Sequence, residues 1–157
     1  MAALLVGEIV PDFVLLTREG TSVRISDYRG KRNLVLIFCG AGISGPVRSL
    51  LRDVSESYRE FAAEEVELFA VVQGADYKDE DLDRGGTLAF PFLLDRLGHV
   101  HDLFGAPASA QDLFPLVGIV DRYGELRHVS RVGDPGGPFG AHEILDWVRY
   151  INLECPE

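Results

Sequence analysis

Sulfur is scarce in this chain: 157 residues include two cysteines, Cys39 and Cys155, and a single methionine. The cysteines stand far apart, as neither a C-x-x-C pair nor a dense framework, which argues against a stapled secreted scaffold and for a reducing cytoplasm. Basic charge is short as well. Fifteen Lys and Arg against twenty-five Asp and Glu leave a formal net charge of -10. Nucleic acid and anionic membrane surfaces are therefore poor partners, because such binding runs on Lys and Arg neutralising phosphates. Long apolar runs are missing too; nothing approaches the ~18 to 20 residues that a membrane-spanning helix requires. The apolar start from Met1 to Val6 lacks a basic flank, is too short for a signal core and runs into Gly7 and Pro11, so no secretion signal is expected.

What is present suits one domain over residues 1–157. Apolar residues make up 46% of the chain, enough for a core without disulfide or metal staples. Phe13 to Leu16 and Thr21 to Ile25 are β-rich runs split by a turn ending at Gly20, which reads as a hairpin. Leu34 to Phe38 is continuously apolar, the pattern of a strand buried on both faces. Ser44, Gly45 and Pro46 then open a long amphipathic helix carried by Val47, Leu50, Leu51, Val54, Tyr58 and Phe61. Val66 to Val72 reads as a second buried strand, and the acidic stretch from Asp76 to Asp83 as the start of a helix toward Leu88. Phe90 to Leu94 and Leu116 to Val120 are further apolar runs. The turn at Asp121 to Gly124 pairs the latter with Glu125 to Ser130 as an antiparallel hairpin. After a glycine- and proline-rich stretch from Gly133 to Gly140, Ile144, Leu145, Val148 and Ile151 line a closing helix. The order predicts an α/β, thioredoxin-like fold: a mixed central sheet with helices on both faces and an N-terminal β-hairpin.

The segment Gly7 to Phe13, then Ile25 to Lys31 and the Leu34 to Phe38 strand, resembles the opening of peroxiredoxins of the alkyl hydroperoxide reductase and thiol-specific antioxidant family. Phe90 to Asp95, leading to Gly98 and Leu103 to Gly105, is similar to a later family segment, and Ile119 to Gly124 to its late hairpin. The resemblance implies thiol chemistry, in which a cysteine at a helix N-terminus attacks peroxide as its thiolate.

Laid on this chain, the family motif P-x-x-x-T-x-x-C puts Gly40 at the proline, Ser44 at the threonine and Val47 at the peroxidatic cysteine. Read as a thioredoxin-type C-x-x-C, the same stretch is Ser44, Gly45, Pro46 and Val47, with both sulfurs replaced. The supporting arginine of the family corresponds to Pro115. Phe114 and Pro115 also resemble the cis-proline site of thioredoxins, the other reading being an ordinary strand-entry proline. Cys155, between Leu153 and Pro156, resembles a C-terminal resolving cysteine.

These features predict a non-catalytic or binding relic of a thiol peroxidase, with a small-molecule or peptide ligand at the surviving groove. The alternative is an antioxidant oxidoreductase that has relocated its nucleophile to Cys39, with Cys155 resolving it. Alternation from Phe38 leaves Cys39 free to face either the core or the helix N-terminus, and the second reading needs it exposed with a lowered pKa. A homodimer is a third expectation. No cofactor and no metal are expected: His99 and His101 point apart on a helix, and Asp76 to Asp83 lack a calcium-loop register. Ser44 lacks the elbow motif of a hydrolase and is read as a helix cap.

Overall fold

Leu34 to Phe38 forms the middle of the longest strand in a computed structural model that describes residues 3–41, 43–73, 88–106, 115–133 and 140–154. The strands are β1 (Val14–Thr17), β2 (Ser22–Arg24), β3 (Asn33–Gly40), β4 (Val66–Val72), β5 (Phe92–Leu94), β6 (Leu116–Val120) and β7 (Leu126–Arg131). The helices are α1 (Gly45–Glu56), α2 (Tyr58–Ala63), α3 (His99–Leu103) and α4 (Ala141–Glu154), with a short 3-10 turn at Ile25–Tyr28. The sheet runs β2-β1-β5-β4-β3-β6-β7. β3 pairs parallel with β4 and antiparallel with β6, while β1 with β2 and β6 with β7 are antiparallel hairpins.

Alternation along these strands divides the core in two. Val35, Ile37 and Cys39 of β3 face the side covered by α1, α2 and α4, with Leu68 and Ala70 of β4 and Val117 and Ile119 of β6. Leu34, Leu36 and Phe38 face the other side, packed with Phe69, Val71, Val100 and Phe104. Val35, Leu36 and Ile37 are completely buried, as a strand with a layer on each face must be.

The single long helix expected after β3 is two helices, because Ser57 takes φ -96° and ψ 11° and its amide is shared between the carbonyls of Asp53 and Val54. Serine favours such local alternatives to the helix, and Phe61 still reaches the same core from α2. The closing helix is as expected, with Ile144, Leu145, Val148 and Ile151 buried. The helix expected from Asp76 falls largely on residues 74–87, outside the described set.

α4 is anchored to α1 at its start. The Asp53 carboxylate accepts the Ala141 amide at 2.7 Å, and a Cβ on Gly140 would lie 2.7 Å from the same Asp53 oxygen, so only glycine leaves room for this cap. At its far end, Asn152 accepts from buried Asn33 at 2.7 Å and donates to the Glu64 carbonyl at 3.0 Å. α4 therefore ends beside the start of β3. Among the described residues, no helix is long and apolar enough to cross a membrane.

Candidate functional site

The carboxyl end of β3 and the start of α1 carry the positions expected for thiol chemistry. Ser44 is extended at φ -73° and ψ 169°, and its hydroxyl accepts the Val47 amide at 3.3 Å while its carbonyl accepts the Arg48 amide at 2.9 Å. Pro46 occupies the first turn, where no amide hydrogen is needed. The capping serine thus answers one of the helix's unpaired donors. Val47 is 2% exposed and turned into the core beside Leu50 and Leu51. Gly45, between them, is open to solvent.

Of the two orientations left open for Cys39, the core-facing one is observed. Pairing with β4 steps from Phe38 opposite Val71 to Gly40 opposite Val72, so Cys39 is the extra residue of a bulge. Its side chain packs in the same cluster as Val47 and is a free, buried thiol that donates to its own strand at the Ile37 carbonyl, 3.5 Å away. Burial pushes the thiol up to about 12. A relocated nucleophile requires the opposite on both counts.

Pro115 enters β6. Extending the register one step beyond Leu116 opposite Phe38 sets it across from Cys39, and its carbonyl accepts the Val132 amide at 2.9 Å. The expected cis bond involves Phe114, which lies outside the described residues. Cys39, Gly40, Ser44, Val47 and Pro115 thus gather at one end of the sheet. Cys155 also lies outside the described residues.

One pair at this end was missed by sequence reasoning. His101 of α3 is completely buried, with one ring nitrogen, Nδ1, 2.8 Å from an Asp95 oxygen and the other, Nε2, accepting the Gly40 amide hydrogen at 3.1 Å. Asp95 also accepts the amides of Val100 and His101, at 3.3 and 2.8 Å. Burial raises the Asp95 carboxyl, but the hydrogen bonds from the His101 ring and these amides outweigh it and leave it below the ordinary carboxylate range. A usable signal was present: Val100 and His101 of α3 are buried with Phe104 just after it, and a histidine among apolar neighbours must find partners for two nitrogens. His99 is exposed, so the two histidine rings face apart.

The sequence model of the AhpC/TSA family matches residues 6–129. The chain is 30% identical over 129 residues to the thiol-disulfide oxidoreductase ResA of Geobacillus thermodenitrificans, covering 81% of this chain and 70% of that protein. The protein of the same name from Geobacillus kaustophilus matches to the same extent, at 30% identity over 129 residues. Among solved structures, the peroxidoxin BcpB of Mycobacterium tuberculosis superposes with a TM-score of 0.75 at 20% identity, over 93% of this chain and 97% of that one, a likeness of fold. With the strand order, the capped helix after β3 and a family match covering most of its length, this chain belongs to the AhpC/TSA family.

Proposed function

We propose that this chain is a binding member of its family, without a thiol nucleophile, that holds an extended peptide segment or small molecule in the groove between the start of α1 and Pro115. The observation that carries this reading is the start of α1. Where a redox thiol would sit, the chain has a serine whose hydroxyl caps the helix and a valine buried in the core. Among the described residues, the one cysteine, Cys39, is buried and held as the thiol. Thiolate attack needs a lowered pKa and a path to solvent. A strand end beside a proline suits backbone-directed binding of an extended segment.

The test restores the missing groups. Residues three apart on a helix have side chains about 5–6 Å apart, close enough for a pair of cysteines to approach disulfide geometry. The double variant Ser44→Cys, Val47→Cys is expected to gain reduction of a small disulfide in the presence of dithiothreitol, while wild type stays at the rate of the reductant alone. Wild-type activity equal to that of the double variant would defeat the proposal.

A further inference from the structure

The Gly40 carbonyl stays with the neighbouring strand, accepting the amide of Gln73, the residue after β4, at 2.8 Å, whereas the Gly40 amide leaves the sheet and donates to His101 Nε2 at 3.1 Å. Gly40 sits at φ +75°, a conformation that glycine alone takes without strain, and its amide is turned to His101 rather than into the ladder with β4.

The histidine has one protonation state that satisfies every contact. The Gly40 amide can only donate, so Nε2 presents its lone pair. Asp95 is a carboxylate acceptor, so Nδ1 carries the hydrogen. The contacts therefore fit the ring with its hydrogen on Nδ1 and a lone pair on Nε2. A second proton would arrive at Nε2 and set one N–H against another, so the imidazolium and the Gly40 hydrogen bond exclude each other.

We propose that His101 is a proton-operated latch: neutral, it fastens the end of β3 through the Gly40 amide, and charged, it releases that end. The proton comes from solvent and rests on Nε2, and no other bond changes.

The groups around the ring are few. From the segment after β5, the Asp95 carboxylate faces Nδ1 at 2.8 Å. From β3, the groups facing the ring are uncharged: the Gly40 amide, and the Phe38 ring edge-on with centroids 5.2 Å apart. On α3 itself, His99 and Asp102 are exposed. Cys39, the other ionisable group at this strand end, packs on the opposite face of the sheet. The latch concerns Gly40 alone and stands whether or not the groove binds a ligand.

The test is amide hydrogen exchange of uniformly labelled wild-type protein between about pH 7.5 and about pH 5, the range in which histidine acts as a switch, corrected for intrinsic exchange, with ring nitrogen shifts read in parallel. The neutral ring is expected as the Nδ1–H tautomer. Gly40 protection is expected to fall about tenfold, the worth of one hydrogen bond, with the midpoint of the His101 ring signal. Leu36, inside the β3 ladder, should stay unchanged. His101→Gln, which has no proton to gain, is expected to abolish the pH step, and Asp95→Asn to move it to lower pH. Constant Gly40 protection while the ring charges, a ring that stays neutral throughout, or an Nε2–H tautomer would each overturn the latch, and all three are read on wild type.

Discussion

The Cys39 thiol points back along its own strand and donates to the Ile37 carbonyl at 3.5 Å. The proton is thereby held by a backbone acceptor in an apolar cluster, and burial pushes the group up to about 12. Native protein is expected to react with a neutral aromatic disulfide at Cys39 at least about a hundredfold more slowly than urea-unfolded protein at the same pH, because the thiolate is the reacting form. Quantifying labelled Cys39 by peptide mass spectrometry checks this, with Cys155 resolved separately.

The same shift has a stability consequence. Cys39 rises from 9.0 to about 12 on folding. The folded state therefore keeps a proton that the unfolded chain gives up. Its contribution is fully present below about pH 9, declines as pH rises and is lost through about pH 12. Urea unfolding from pH 8 to pH 10.5 is expected to show a steeper alkaline loss in wild type than in Cys39→Ala. Comparing the two slopes separates this from Tyr28, whose burial raises it and acts in the same direction.

At the acid side, His128 is half-buried, with its ring 4.4 Å from that of Trp147, and burial lowers its pKa. A histidine held neutral in the fold gives stability that is present above its unfolded value, declines as pH falls below that value and is lost through its lower folded value. His128→Phe is expected to keep the stacking on Trp147 and to flatten the stability loss between pH 7 and pH 5, as read by chemical denaturation.

Asp53 and Gly140 should be non-additive. Asp53→Ala removes the cap on α4 and is expected to cost about 1 kcal/mol. Gly140→Ala places a Cβ 2.7 Å from the same carboxylate and should cost more than an ordinary surface change. In the double variant that collision is gone, so its loss should be smaller than the sum of the singles. Additive losses in urea melts would count against the steric account.

The apolar runs revealed the architecture because strands buried on both faces leave a continuous signature, and Leu34 to Phe38 could be read directly as central. The start of α1 was equally legible, since Ser44, Gly45 and Pro46 combine a cap with a first-turn proline. The break at Ser57 was not, because the apolar spacing runs through it from Val54 to Phe61 and only the backbone departs. Nor was the link from Asp95 through His101 to Gly40. The histidine and the glycine are 61 positions apart, and their contact exists only once β3 and α3 are packed together. Cys39 shows the intermediate case: alternation allowed two orientations, and the cluster shared with Val47 decided between them.

The central claim is that the Cys39 thiol at the end of β3 is chemically silent. The most direct measurement is peroxide-dependent loss of thiol in the fully reduced protein at neutral pH, followed in wild type, Cys39→Ser and Cys155→Ser. Loss in all three at or below the pace of an ordinary free thiol is the expected result; rapid loss in wild type that disappears only in Cys39→Ser would contradict the account.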